Sequence, residues 1–174
     1  AYQISRRSVN PWLATDKGVY VLDNPTAVLT KSRLFTRSIT VIPSQFANCV
    51  MVDALNRKWI GTNTGVWVLN EDGTSVVENI TKDNTPLLEN AITSLATDEN
   101  SGSIYIGSRS GMNSAHSYAI RANLDFNSLR CFPQPFIHSV DPELVVDGLA
   151  ERSQVKISTV EGTLVRTIAS SGSR

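Results

Sequence analysis

The sequence predicts an all-β protein: a partial β-propeller of about 2.5 four-stranded blades, followed by the start of an Ig-like β-sandwich. Two observations indicate this fold class. A blade-sized segment recurs at intervals of 47 and 46 residues, and it is rich in β-branched and aromatic residues interrupted by glycine. After Gly111 the recurrence stops, the polar residues 113–127 are predicted to form a connection, and a different β pattern begins near Leu129. We therefore expect residues 1–127 to form blades with a connector and residues 128–174 to form the incomplete sandwich.

The recurring segment is clearest in its first two copies. Trp12–Leu22 aligns with Trp59–Leu69, and six of the eleven positions are identical. A weaker third copy, Tyr105–Met112, keeps the aromatic residue, the aliphatic residue, the small residue, the hydroxyl and the second glycine. Periods of about 40 to 50 residues are typical of propeller blades or of paired-helix solenoids. The β-branched and aromatic composition favours strands over helices.

The second copy predicts a complete four-stranded unit. Its centre is a hairpin with a tight turn at Asn63-Thr64-Gly65, where glycine allows a positive φ. A further turn is predicted at Asn70–Gly73, and the segment from Thr85 is predicted to connect to the next innermost strand, Ile92–Thr97. The four strands predicted for this copy are Cys49–Asp53, Trp59–Thr62, Val66–Leu69 and Ser75–Ile80.

Two side-chain features of the repeat are expected to serve packing. The small residue at Ala14, Gly61 and Gly107 indicates a place where a neighbouring sheet or backbone comes close. Trp12 and Trp59 stand at equivalent positions. Packing between blades is therefore a better interpretation for them than a sugar-stacking set with Trp67.

The segment Asp53–Val66 resembles the two-component-regulator type of propeller repeat, whose pattern is an aspartate, a turn, and then Trp-Ile-Gly-Thr-x-x-Gly-Leu. The connector Asn84–Leu95 is similar to the segment that joins blades in that family. The resemblance covers about residues 1 to 112.

The tail predicts a second β unit. Strands are expected at Leu144–Val146, Gln154–Thr159 and Leu164–Ile168, with Val155 and Ile157 buried on one face. Prolines at 133 and 135 suit an edge strand, which needs no ladder donor there.

This tail resembles the carboxy-terminal domain family associated with type IX secretion in the Bacteroidota. Phe132–Pro135 matches its Tyr-Pro-Asn-Pro pattern, and Ile157–Val165 matches Ile-x-Asp-x-x-Gly-x-x-Val. Gln134 and Thr159 depart from the family pattern, which has asparagine and aspartate there.

Propeller repeats followed by this sandwich resemble a component of the type IX secretion attachment complex. The resemblance implies an extracytoplasmic location, in the periplasm or at the outer-membrane surface of a Gram-negative bacterium. The partners it implies are an anionic lipopolysaccharide and a sortase-like protein. An extracytoplasmic ligand-sensing propeller of a hybrid two-component receptor is the alternative, and a tag on a secreted peptidase is a third possibility. The missing blades and sandwich strands are expected from sequence outside this segment, which begins with Ala1 instead of methionine.

Composition excludes several other classes. The 16 basic and 16 acidic residues cancel, so no bulk field attracts nucleic acid. No apolar stretch approaches the roughly 20 residues of a membrane-spanning helix. Cys49 and Cys131 are too few and too distant for a disulfide framework or metal site, and both are expected to be buried thiols.

No catalytic constellation is predicted, so we expect a protein that is not an enzyme, with no cofactor and no metal. Ser114, His116 and Asp125 lack the spacing of a serine-hydrolase triad, and His138 is expected at the surface. Asp98–Gly102 is predicted to be a turn, since the glutamate of a calcium loop does not follow. Gly107–Gly111 has no lysine or helix behind it, so it is not a phosphate loop. Ligand-binding residues remain unknown at this level.

Overall fold

A computed structural model describes residues 2–4, 10–43, 46–121, 129–150 and 153–170. Over these residues the protein is all-β, which confirms the predicted class: five antiparallel sheets and one short 3-10 helix, Pro25–Val28. The chain divides into two compact units, Ala1–Ser117 and Tyr118–Arg174. No helix in the described part of the chain has the length and apolar character needed to cross a membrane.

The first two sheets of unit 1 are four-stranded meanders in which spatial order follows chain order. All four strands predicted for the second copy are present within two residues of their expected bounds. The first sheet comprises β1 (Tyr2–Ile4), β2 (Pro11–Thr15), β3 (Gly18–Leu22) and β4 (Thr36–Ser38). The second comprises β5 (Ala47–Val52), β6 (Lys58–Thr62), β7 (Gly65–Leu69) and β8 (Val76–Ile80).

The third sheet contains β9 (Ile92–Asp98), β10 (Ser103–Ser108) and β11 (Gly111–His116), with β10 in the centre. The connector before β9 is irregular, as predicted. The prediction that residues 113–127 form a connection is wrong for residues 113–116. They belong to β11, since main-chain pairing with β10 needs no apolar side chains.

Two apolar clusters join the three sheets of unit 1. Trp12 from the first sheet packs with Val50 and Ile60 of the second. Trp59, on the opposite face of the second sheet, packs with Ile92 and other residues of the third. The second sheet is therefore buried on both faces, while the described sheets do not close into a ring.

Both tryptophans are almost completely buried, at 3% exposure for Trp12 and 4% for Trp59, so the packing interpretation is confirmed for them. Trp67 packs partly buried against the first cluster. A Cβ at Gly61 would stand 2.8 Å from Cγ2 of Ile92 in the third sheet, which confirms the predicted close approach there. At Gly107 the nearest atom is Oγ of Ser94, from the same sheet.

The described part of unit 2 contains two antiparallel strand pairs, which we call hairpins. β12 (Arg130–Phe132) pairs with β13 (Val145–Asp147), and β14 (Gln154–Ser158) pairs with β15 (Leu164–Ala169). The turn before β15 contains Gly162 at φ +87°.

Two expectations for this unit are wrong. The prolines at 133 and 135 follow β12 instead of lying within it, because β12 pairs only through its residues up to Phe132. Val155 is half-buried, but Ile157 is exposed. The reason is that β15 pairs along the edge of β14 and does not cover the side chain of Ile157.

Candidate binding cleft between the second and third sheets

A polar concavity of unit 1 lies between the second and third sheets. It is a cleft of about 440 Å³, which is within the range of small-ligand sites. The residues around it come from β5, from the β6–β7 and β10–β11 turns, from β9 and from the connector before β9. They are Asn48, Asn63, Glu89, Ala91, Thr93 and Arg109.

The two hairpin turns at the cleft share a hydrogen-bonded frame. The Oγ1 of Thr62 donates to the carbonyl oxygen of Gly65 at 2.9 Å, and the Oγ of Ser108 donates to that of Gly111 at 3.1 Å. The corresponding turn of the first sheet has the same bond, from Thr15 to Gly18 at 2.8 Å. All three glycines have φ between +117° and +131°, a conformation that other residues rarely adopt.

Because the frame is constant, each turn presents its two central residues in the same way, and these residues differ. They are Asp16-Lys17 in the first sheet, Asn63-Thr64 in the second and Arg109-Ser110 in the third. A constant frame with variable exposed tips is a typical arrangement for a recognition surface. The recurrence of this turn in the sequence was the signal from which Asn63 and Arg109 could have been found.

Asn48 reaches the cleft through a β-bulge. The pairing of β5 with β6 steps from Ala47 to Cys49, so Asn48 is the extra residue of the bulged strand. Its Nδ2 donates to Oδ1 of Asn63 at 2.9 Å and to the carbonyl oxygen of Ile92 at 2.7 Å. These bonds connect the two sheets at the cleft. They leave Oδ1 of Asn48 and Nδ2 of Asn63 without a partner among the described residues.

Glu89 and Arg109, the two charged residues at the other wall of the cleft, do not form an ion pair with each other. Oε2 of Glu89 accepts hydrogen bonds from the backbone N–H and the hydroxyl of Ser110, at 3.1 and 2.9 Å. The neighbouring Arg109 is exposed, and its guanidinium makes no hydrogen bond or ion pair with any residue that the structure describes. The cleft therefore offers a preorganised turn with one unengaged cation.

A second polar group in unit 1 is structural. Asp53 is fully buried, and its carboxylate accepts hydrogen bonds from the backbone N–H groups of Leu55 and Arg57 and from the side chains of Arg57 and Trp59. The Nη2 of Arg57 also donates to Oγ of Ser117 at 2.7 Å. This network closes the β5–β6 turn and holds Trp59.

Of the three residues considered for a serine-hydrolase triad, the structure describes Ser114 and His116. Ser114 and His116 lie two positions apart on the exposed edge strand β11, so they share one face of it. Asp125 lies outside the described residues. His138 is exposed in unit 2. No cluster of potential metal ligands occurs in the described ranges.

The turn predictions are correct. The turn at Asp98–Gly102 joins β9 to β10, and hydrogen bonds from the Ser101 hydroxyl and nearby backbone lower the pKa of Asp98. Residues 108–111 form the β10–β11 hairpin turn.

Both cysteines are free thiols, and they differ in environment. Cys49 is buried beside Gly61, and burial raises its pKa to about 11. Cys131 is only partly buried, so the expectation of two buried thiols is right for Cys49 alone.

Comparison with known proteins identifies one related fold. The chain is similar to PorZ of Porphyromonas gingivalis, described as an essential bacterial surface component of the type IX secretion system, with a TM-score of 0.65 and 24% identity. The match covers 99% of this chain and 24% of PorZ, so the chain spans about a quarter of that protein. The extracellular domain of a putative one-component system from B. thetaiotaomicron matches with a TM-score of 0.48 and 15% identity, over 95% of this chain and 17% of that one. No protein-family model and no curated protein sequence matches.

Proposed function

We propose that this chain belongs to a non-enzymatic binding and scaffold component of the type IX secretion attachment complex at the outer-membrane surface. Its partners are an anionic lipopolysaccharide, a sortase-like protein of the complex, or both. The observation that carries the proposal is the fold similarity to PorZ over 99% of this chain, across both compact units. At 24% identity this similarity concerns the fold, so the role itself is our inference.

The architecture we propose is a segment of a β-propeller followed by the start of an Ig-like sandwich. Two meanders of four strands each, stacked face to face with a third sheet, support the propeller. The face of the first sheet opposite Trp12, where burial is intermediate, agrees with it. Leu13 and Tyr20 there occupy the repeat positions of Ile60 and Trp67, which pack against a preceding sheet. The two hairpins of unit 2 support the sandwich.

A binding role fits the chemistry of the cleft better than a catalytic one. Acyl- or glycosyl-transfer sites need a nucleophile beside a base, or two carboxylic acids facing the reacting bond. The cleft has one carboxylate, already held by two hydrogen bonds, with two amides, one guanidinium and one hydroxyl whose hydrogen is donated to the Gly107 carbonyl. Such groups recognise and orient a ligand.

The test is direct binding by the full-length protein that contains this chain. Surface plasmon resonance would measure its binding to purified anionic lipopolysaccharide, with neutral lipopolysaccharide from the same strain as the control. Co-purification would measure its association with the sortase-like component. Binding of either partner is expected. Failure of both, or a full-length reading frame that encodes a histidine kinase, would overturn the proposal.

A further inference from the structure

We infer that the cleft between the second and third sheets binds an extended protein segment that carries a carboxylate side chain, with that carboxylate placed against Arg109. The inference deepens the proposed binding function, on which it rests, by assigning a ligand class to one site. It depends on the charge and the unused hydrogen-bonding groups of the cleft.

Arg109 provides the charge complementarity. Its guanidinium is exposed on a turn that is held by the Ser108–Gly111 bond and by Glu89 on Ser110. A planar guanidinium presents two parallel N–H groups, whose spacing matches the two oxygens of a carboxylate. Because the turn is already ordered, little backbone conformational entropy is lost when the carboxylate docks.

The amides of Asn48 and Asn63 suit a peptide backbone. Once Nδ2 of Asn48 has bonded to Asn63 and Ile92, the Oδ1 of Asn48 and both side-chain N–H groups of Asn63 have no partner among the described residues. A peptide group presents the complementary N–H and C=O. The pair is fixed in orientation by the second bond of Asn48, to the carbonyl oxygen of Ile92.

A phosphorylated glycan fits the cleft less well. None of the described residues that line it is aromatic, so no platform is present for a sugar ring. Trp12 and Trp59 are buried in the packing between sheets. Arg109 is the single cation in the described lining, whereas a multiply charged headgroup requires several.

Glu89 is expected to affect the binding of an acidic ligand in the direction opposite to Arg109. Its carboxylate lies in the same cleft, so it opposes an acidic ligand while it holds Ser110. In Glu89→Gln the amide oxygen can still accept the Ser110 bonds, and the negative charge is removed. This variant is expected to bind the acidic segment more tightly, in the direction opposite to Arg109→Gln.

The experiment is a selection from randomised eight-residue peptides, acetylated and amidated at their ends, on the immobilised full-length protein. Retained peptides are sequenced by mass spectrometry. We expect enrichment of Asp or Glu at one position by roughly tenfold, the effect of one charge-assisted hydrogen-bonded pair. Arg109→Gln should abolish the enrichment, and Glu89→Gln should increase it. Lys17→Gln removes the same charge from the corresponding turn of the first sheet and should change nothing.

Equal enrichment by wild type and Arg109→Gln, or no enrichment at all, would overturn the inference. So would loss of lipopolysaccharide binding in Arg109→Gln without any peptide selection, since the cleft would then be a glycan site. If selection fails while the full-length protein still binds lipopolysaccharide or the sortase-like component, only the cleft inference is wrong. If selection succeeds and neither partner binds, the proposed function is wrong and the peptide site stands.

Discussion

The indole Nε1 of Trp59 donates a hydrogen bond of 2.9 Å to Oδ2 of Asp53, and both side chains are buried. The same carboxylate oxygen accepts from Nε of Arg57 at 2.7 Å, while Oδ1 binds two backbone N–H groups of the turn. The aspartate thus connects a turn to the tryptophan that packs against the third sheet. These hydrogen bonds are the physical reason for an aspartate at this position of the repeat pattern.

Replacement of Asp53 by asparagine should destabilise unit 1. The amide nitrogen cannot accept the bonds from Arg57 and Trp59, and the guanidinium loses its counter-charge. We expect a loss of about 2–4 kcal/mol in the free energy of unfolding, measured by urea denaturation. Asp72→Asn, in an exposed turn, is the matched control and should be neutral. A loss below about 0.5 kcal/mol for Asp53→Asn, the range of ordinary surface changes, would contradict the structural role.

Replacement of Gly61 by alanine should also be destabilising. The new Cβ would lie 2.5 Å from Sγ of Cys49 and 2.8 Å from Cγ2 of Ile92, both in a packed core. Overpacking of this kind costs about 1–3 kcal/mol. Gly107→Ala should cost less, since the nearest atom is the hydroxyl of Ser94, an exposed side chain that can rotate away. Thermal unfolding of the two variants side by side gives the order, and the reverse order would contradict this account.

Replacement of Thr62 by valine tests the turn frame. The threonine is fully buried, and its hydroxyl donates to Gly65 and accepts from the backbone N–H of Thr64. Valine keeps the shape and removes these two bonds and the bond between the hydroxyls of Thr62 and Thr64, at an expected cost of about 1–3 kcal/mol in unfolding free energy. Ser108→Ala removes the equivalent bond at a half-exposed site, where water can replace it, and should cost less. Equal costs would indicate that burial does not matter here.

Cys49 should resist thiol reagents in the folded protein. Its pKa of about 11 keeps the thiol protonated near neutral pH, and the thiolate is the reactive form. Timed labelling with iodoacetamide followed by peptide mass spectrometry should modify Cys131 first and Cys49 only after unfolding. Rapid labelling of Cys49 in native protein would contradict its burial.

The same shift predicts a pH dependence of stability. Folding raises the pKa of the Cys49 thiol from 9.0 to about 11. The contribution of the protonated thiol to the free energy of unfolding is therefore fully present below pH 9, and it is lost as the pH rises from 9 towards 11. Cys49→Ala should flatten this part of the stability profile, measured by urea denaturation across that range. If the free energy of unfolding of Cys49→Ala falls as steeply between pH 9 and 11 as that of the wild type, groups other than Cys49 cause the loss of stability at alkaline pH.

Local patterns in the sequence were enough to predict the all-β class, the repeat and the strands of the second copy. Alternation of apolar residues and a glycine at a tight turn act over a few neighbouring positions, so these elements can be read without knowing what surrounds them. The buried tryptophans followed from recurrence at equivalent positions. The same local patterns were misleading at residues 113–116, where polar side chains hid a strand that pairs through its backbone.

Only the tertiary structure shows that the residues of the cleft lie together. Asn48 meets the carbonyl oxygen of Ile92 across 44 positions of sequence, through a bulge that no residue pattern marked. Glu89 lies in the connector before β9, and its carboxylate reaches Ser110 in the β10–β11 turn. From the sequence this segment was predicted only as a connection between strands. Strands are specified by short-range periodicity, whereas a binding site depends on which sheets stack and on where their turns meet. That information lies in the packing between the sheets, on opposite faces of β5–β8.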